Sequence, residues 1–321
     1  MDLIYTNANR EDVGVLLAYG FDLSFGAEEN DFEMILSADV PMLEYGAFVY
    51  VEGTEYGGIV DGIKTTTNGS TMTYIGRTWH GLLNSKVISP DPGADYLTVS
   101  GDANTILANL LARLTLTGLF TASEEASGIN ISNYQFHRYC KGYDGIRDML
   151  ADNGAKLKIT WVDRAVKLSA VPIADYTESP IDGDIASLTV EHHPKTVNHL
   201  ICLGSGELSA REVLHLYVDQ FGRIGTTQYY TGLDEYTDTL DYSNAESSAD
   251  LKKSGIERLK ELRGIDTADI SIYESNDIVF DIGDIVGAKE QRTGISVAAE
   301  VTQKIVKITN GAIRTDYKTG G

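Results

Sequence analysis

Apolar and polar residues alternate along most of the chain, and a period of two predicts a protein built mainly from half-buried strands. The clearest case lies near the end, where Ile313, Thr315 and Tyr317 share one face while Arg314, Asp316 and Lys318 share the other. That strand follows Asn310-Gly311, a strong hairpin pair. Before it come a strand over 301–308 and the Gly-bearing start Ile282-Gly283-Asp284-Ile285-Val286-Gly287. The same order of signals occurs early in the chain. Tyr45-Gly46-Ala47-Phe48-Val49 leads through Gly57-Gly58 to a strand over 59–66, then Asn68-Gly69, then a strand over 71–75. Identity between the copies is low, so the order of turns and strands is what predicts an internal duplication.

Further strands are predicted over 13–25, 31–38 and 48–51. Short strands at near-regular spacing with Gly-rich turns suggest a small closed or nearly closed barrel. Trp79 follows directly and is a candidate core plug or interface anchor, because large aromatic side chains dominate cores and interfaces. From Ser100 the period becomes helical: Ile106, Leu107, Leu110, Leu111 and Leu114 fall on one face, with Asp102 or Ser100 as N-cap. A second helix is predicted over 143–153, with Ile146, Met149 and Leu150 inward and Gly154 just past its end. A hairpin around Asp163-Arg164 follows, and 172–183 reads as a linker. Strands return over 188–190, 197–203, 213–218 and 226–230; the capping box Ser243-x-x-Glu246 then opens a helix that ends at Gly264.

The predicted fold is mainly β with α+β modules: two related small β-barrels, the second discontinuous, plus two smaller α/β modules. The first barrel spans 1–95 and an α+β module spans 96–178. The copy after 265 is too short to close alone, so the second barrel combines 187–204 with 265–321, leaving 205–264 as an inserted strand-helix module.

Composition narrows the function. At 321 residues the chain exceeds one ordinary core. Its net charge of −21 is spread along the sequence, which opposes a nucleic-acid-binding surface. No apolar run is long enough to span a bilayer, and the N-terminus lacks the layout of a secretion signal, so first folding in a cytoplasm is expected. Cys140 and Cys202 stand in unrelated contexts, which indicates neither a disulfide framework nor a zinc site.

Candidate chemistry is sparse. His137 and Cys140 stand three apart, without a third orienting group for a thiolate nucleophile. His192-His193 with His199 offer imidazoles, but neighbours on a strand point to opposite faces, so they read as surface histidines. Asp234 with Glu235, or Asp238 with Asp241, are loop carboxylates whose spacing matches neither an EF-hand nor a defined glycosidase pair. Gly204-Ser205-Gly206 is no nucleophile elbow, and no phosphate-binding loop occurs. No catalytic, cofactor-binding or metal-ligating residue is assigned, and an enzyme is not expected. The structural assignments are Gly46, Asn68, Gly69, Gly283, Asn310 and Gly311 as turns of the duplicated hairpins, and Trp79 as the anchor.

Four segments carry a resemblance: YGGIVDGI from Tyr56, YIGRTWHGLL from Tyr74, NHLICLGSGEL from Asn198 and FDIGDIVGA from Phe280. Together they resemble the baseplate and tail hub proteins of tailed phages and prophage tail-like particles, in the siphophage branch. The resemblance implies a homotrimeric ring in the virion tail tip or baseplate, assembled in the bacterial host cytoplasm. Two related barrels per subunit would join a sixfold tail tube to a threefold tip or spike. Implied partners are further copies of the chain, a tail tube or distal tail protein, a tail spike or tip protein and the tape measure protein, with no specific nucleic-acid binding and no membrane insertion. An acidic lumen would repel phosphates and let the genome slide. The chain stops at Gly321, so a C-terminal lytic extension is not expected. Two alternatives stand beside this reading: a wall-degrading hydrolase, and a carbohydrate-binding module that uses Tyr229, Tyr230 and Tyr236.

Overall fold

The computed structural model describes residues 2–17, 19–39, 42–67, 69–181, 186–191, 196–219, 222–245, 247–262, 267–273, 279–309 and 311–320. The chain begins with β1 (Leu3–Thr6), β2 (Asp12–Leu16), β3 (Tyr19–Gly26), β4 (Asp31–Ser37), β5 (Phe48–Tyr50), β6 (Gly57–Thr65) and β7 (Thr71–Thr78). Next come α1 (Trp79–Asn84), β8 (Val87–Ile88), β9 (Thr98–Asp102), α2 (Ala103–Arg113), β10 (Phe120–Ala122), β11 (Asn130–Gln135), β12 (Cys140–Lys141) and α3 (Gly142–Ala151). They are followed by β13 (Ala155–Val162), β14 (Ala165–Pro172), β15 (Asp175–Ile181), β16 (Ala186–Glu191), β17 (His199–Leu203), β18 (Val213–Val218), β19 (Ile224–Gly225) and β20 (Thr237–Asp241). The last elements are α4 (Ser248–Leu262), β21 (Thr267–Tyr273), β22 (Ile285–Lys289), β23 (Ser296–Thr309) and β24 (Ala312–Gly320). The fold is mainly β with α/β modules, as the alternating pattern predicts.

Two compact units form. One takes in Met1–Asp175, Ile270–Ile285 and Val301–Lys318; the other takes in Tyr176–Asp269, Val286–Glu300 and Thr319–Gly321. Within the first, a sheet runs in the order β24-β23-β3-β4-β7-β6-β5-β1-β2. Strand β3 pairs antiparallel with β4 on one side (Phe21↔Met34) and with β23 on the other (Val306↔Leu23). Alternation sends Phe21, Leu23 and Phe25 of β3, and Phe32, Met34 and Leu36 of β4, into one core with Val306 and Ile308 of β23. The barrels, expected to be closed or nearly closed, are not closed among the described residues. Among the described residues the strand order is an open path, and the C-terminal hairpin extends the first sheet through β23 instead of closing separately.

A second core of this unit joins α1, α2 and α3 to β13 and β14. Thr78 caps α1 by accepting from Gly81 N at 3.3 Å, and Asp102 caps α2 by accepting from Asn104 N at 2.9 Å. Trp79, fully buried, stacks on Trp161 with ring centres 5.0 Å apart and meets Phe48 edge-on at 5.5 Å. This core spans the boundary expected at 95/96, because Phe48, Tyr50 and Trp79 pack with the same cluster as Leu107 and Met149.

In the second unit, a sheet ordered β19-β18-β17-β20 carries α4. Leu200, Cys202 and Leu216 face Leu251 and Leu259 of the helix in a small core. Strand β17, expected to belong with the strands after 265, pairs instead with β18 and with β20. The reason is local: β17 and β18 form an antiparallel hairpin, and β20 completes the apolar face that α4 covers.

Candidate functional site

Two turns in the first unit are built alike. At 44–47, Ala47 N donates to Glu44 O (3.2 Å) across Gly46, whose φ is +84°; at 281–284, Asp284 N donates to Asp281 O (3.1 Å) across Gly283, with φ +95°. Such a turn requires positive φ at its third residue, which glycine adopts without a Cβ clash. Gly46 N donates to Val60 O and Val60 N to Ala47 O, both at 2.9 Å; Gly283 N donates to Val301 O and Val301 N to Asp284 O, both at 2.8 Å. A buried tyrosine closes each copy. Leu43 N donates to Tyr74 Oη and Phe280 N donates to Tyr317 Oη, each at 3.2 Å.

The copies differ in what their side chains hold. Asp284, buried, accepts from Lys156 Nζ (2.6 Å), Ala174 N (3.0 Å) and Asp281 N (2.9 Å), and Asp281 takes a second bond from Lys156 at 2.8 Å. Burial would lower the Lys156 ammonium, but the bonds to Asp281 and Asp284 hold it above its ordinary value. Nearby, Lys304 of β23 is 1% exposed, pairs with Glu55 at 2.6 Å and lies 5.5–5.9 Å from the rings of Phe25, Tyr56 and Tyr317. Burial works against the Glu55 carboxylate, yet the Lys304 charge and then His80 outweigh it and hold the carboxyl well below the usual range. Burial likewise opposes the Lys304 charge, and Glu55 overcomes it and holds the ammonium above its ordinary value. His80 stacks on Phe25 at 4.5 Å and is pushed down by burial, partly offset by Glu55. The chemistry of this region is that of a staple between β23 and the sheet that begins the chain.

In the second unit, His199 Nδ1 lies 2.6 Å from Glu235 Oε1, and its Nε2 lies 2.8 Å from His215 Nδ1. His199 thus bridges the Glu235 carboxylate and the His215 ring through its two nitrogens. Asn198 clasps the same loop, donating to Asp234 O (2.8 Å) and accepting from Tyr236 N (3.0 Å). His199 is buried, which corrects the surface reading.

Other expected residues scatter. Gly69 N donates to Thr66 O at 2.8 Å and Gly311 has φ +87°, while Asn68 and Asn310 lie outside the described residues, as do His192 and His193. Trp79 is part of the core. His137 and Cys140 meet through backbone, Cys140 N donating to His137 O at 3.3 Å. Asp241 pairs with Arg211, and Tyr229 packs edge-on to Tyr230 at 5.0 Å. Among the described residues no cluster of three His, Cys, Asp or Glu is arranged to hold a metal, and no helix is long and apolar enough to cross a membrane. Sequence reasoning missed Glu55, His80, Lys304 and the Glu235–His199–His215 chain. A lysine in register with the inward positions Val306 and Ile308 was the available signal for the first group.

No protein-family model and no curated protein matches the chain. Solved structures do. A tail protein from Neisseria meningitidis MC58 matches with 14% identity and a TM-score of 0.56, covering 100% of this chain and 96% of that one. Prophage tail protein gp18 from Listeria monocytogenes EGD-e matches with 12% identity and a TM-score of 0.60, covering 99% and 94%. The 43 kDa tail protein of prophage MuSo2 from Shewanella oneidensis matches with 11% identity and a TM-score of 0.61, covering 99% and 98%. The chain has the fold of prophage tail proteins. The likeness covers residues of both units.

Proposed function

We propose that the chain is a structural hub subunit of a phage tail or phage-tail-like particle. The observation that carries this reading is the full-length fold shared with tail proteins. The paired turns add support. Two equivalent turn-and-strand units per chain, in a ring of three chains, present six related units to a sixfold tube on one side and a threefold tip on the other. In this reading the partners are further copies of the chain, a tail tube or distal tail protein, a spike or tip protein and the tape measure. The subunit resides in the virion tail tip after assembly in the host cytoplasm. A net charge of −21 suits a passage through which genome or tape measure slides without sticking. The role is mechanical, with no catalytic step assigned to the chain.

The test is solution mass of the purified chain, alone and mixed with the tail tube protein of its own particle, together with tag-directed electron microscopy of assembled tails. A threefold mass in at least one mixture and label at the tail tip are expected. A chain that stays monomeric with its tube protein and is absent from tails would overturn the reading.

A further inference from the structure

Acidic residues are spread along the chain, yet two tracts carry charge of a single sign. Residues 224–251 hold six carboxylates, Asp234, Glu235, Asp238, Asp241, Glu246 and Asp250, and no Lys, Arg or His. Residues 126–143 hold no Asp or Glu, and their cations are Arg138 and Lys141. The first unit builds this second tract into a ribbon. Strands β8 and β12 pair with Lys141 opposite Val87, so the two side chains share a face, and Val87 is 43% exposed. The turn that leads into β12 is closed by Cys140 N, which donates to His137 O at 3.3 Å. Within it Tyr139 has φ +59°, in the left-handed region that side-chain-bearing residues seldom occupy, and is 60% exposed. The Arg138 guanidinium lies 5.3 Å from the centre of that ring. Arg138 and Lys141 are both exposed, and neither has a carboxylate partner among the described residues. In the second unit the acidic tract forms the loop before β20 and then β20 itself, which ends the sheet β19-β18-β17-β20. Arg211 takes Asp241 and His199 takes Glu235, while Asp234 and Asp238 have no cation among the described residues. Leu233, beside Asp234, is 97% exposed.

We infer that the ribbon bearing Arg138, Tyr139 and Lys141 binds the acidic loop and edge strand over 231–241 of a second copy of the chain. The inference rests on the ring reading above and names the surfaces through which the ring closes. Copies that each carry −21 repel one another, so their association requires a contact at which the local charges are opposite. The two tracts supply it, because the unpaired cations of one match the unpaired carboxylates of the other. Each side also sets apolar surface among its charges, Tyr139 and Val87 on the ribbon and Leu233 on the loop, which is the make-up of an interface with an apolar centre and a polar rim. Arginine and tyrosine are the residue types that most often dominate binding energy, and here they meet before a partner arrives. Since the two surfaces differ, the contact is head-to-tail. Each copy gives its ribbon to one neighbour and its acidic strand to the other, and a threefold rotation closes the ring.

Charge exchange in the full chain tests it, read as solution mass in the mixture where the unmodified chain reaches threefold mass. One variant carries Arg138→Glu with Lys141→Glu, the other Asp234→Lys with Asp238→Lys; none of the four residues belongs to a hydrophobic core. Each variant alone is expected to need about tenfold or more higher concentration to assemble, because like charges then face each other across the contact. A chain with all four substitutions is expected to recover to within about threefold of the unmodified one, since the exchange restores opposite signs. Threefold mass that survives either double variant, or that the four substitutions together do not restore, would overturn the contact. Lowered thermal stability with threefold mass intact would mean that the tracts meet within one chain, and would overturn it too. An unmodified chain that stays monomeric alone and with its tube protein would instead overturn the ring reading, so the two failures are distinguishable.

Discussion

The turns at 44–47 and 281–284 share a backbone and diverge in their side chains. In the first, Ala47 is buried and Glu44 reaches the loop between β1 and β2, accepting from Ala8 N at 2.8 Å in an exposed setting. In the second, aspartates stand at both corresponding places and grip Lys156 of β13. A glycine at positive φ and two backbone bonds to a neighbouring strand are enough to shape the turn. The side chains are then free to tie it to different parts of the unit. The lesson is that a duplicated backbone device can keep its geometry while its electrostatic load moves from solvent to core.

The strongest way to break that comparison is to remove the carboxylates. Asp284→Ala leaves the buried Lys156 ammonium with only the partly exposed Asp281 as partner and takes the acceptor from the amides of Ala174 and Asp281, so the loss should fall toward the lower end of the about 3–5 kcal/mol that breaking a buried ion pair costs. Glu44→Ala removes a single exposed bond worth about 1 kcal/mol or less. Chemical denaturation of both variants measures the difference. Equal midpoints would mean that burial of the second turn does not matter. Replacing Lys156 and Asp284 together by Met and Leu should restore the part of the loss owed to the buried charge, while the amides of Ala174 and Asp281, which lose the Asp284 acceptor, keep the rest.

What the sequence made legible follows from the range of the forces involved. Glycine at a turn, alternation along a strand and a cap at a helix start act within a few residues, so the paired turns, α2 and the β13–β14 hairpin are readable one segment at a time. Strand partnership is not local. Nothing between 296 and 309 states that Val306 will pair with Leu23, so the attachment of the C-terminal hairpin to the first sheet was not readable. The charged clusters are harder still. Lys304 finds Glu55 across 249 positions, and a lysine at an inward strand position gives no sign of its partner. The Glu235–His199–His215 chain was half visible: both histidines lay on strands that periodicity identified, but their neighbouring register appears only once the hairpin is formed.

A middle-sized effect tests the equivalence itself. Tyr74→Phe and Tyr317→Phe each keep the ring and delete the hydroxyl that accepts from the buried Leu43 or Phe280 amide. Each should cost about 1–3 kcal/mol, by similar amounts, if the two tyrosines do the same work. Thermal unfolding of the two variants measures this. A loss confined to Tyr317→Phe would assign the effect to the neighbourhood of Lys304, 5.9 Å from that ring, and would separate the copies.

The smallest effect sharpens the comparison most, because it touches only backbone. Gly46→Ala and Gly283→Ala both force a Cβ into left-handed space, at about 1–2 kcal/mol each. At Gly46 the added carbon meets nothing within 4 Å, so strain is the whole cost. At Gly283 it comes to 3.0 Å from Lys156 Cβ, so the β13 backbone that carries that carbon must yield as well. Gly283→Ala should therefore destabilise more than Gly46→Ala, and the excess should shrink when Lys156 is changed to glycine, which removes the Cβ. An excess that survives the loss of Lys156 would place the difference in the turns themselves, and the two backbones would no longer count as one device used twice.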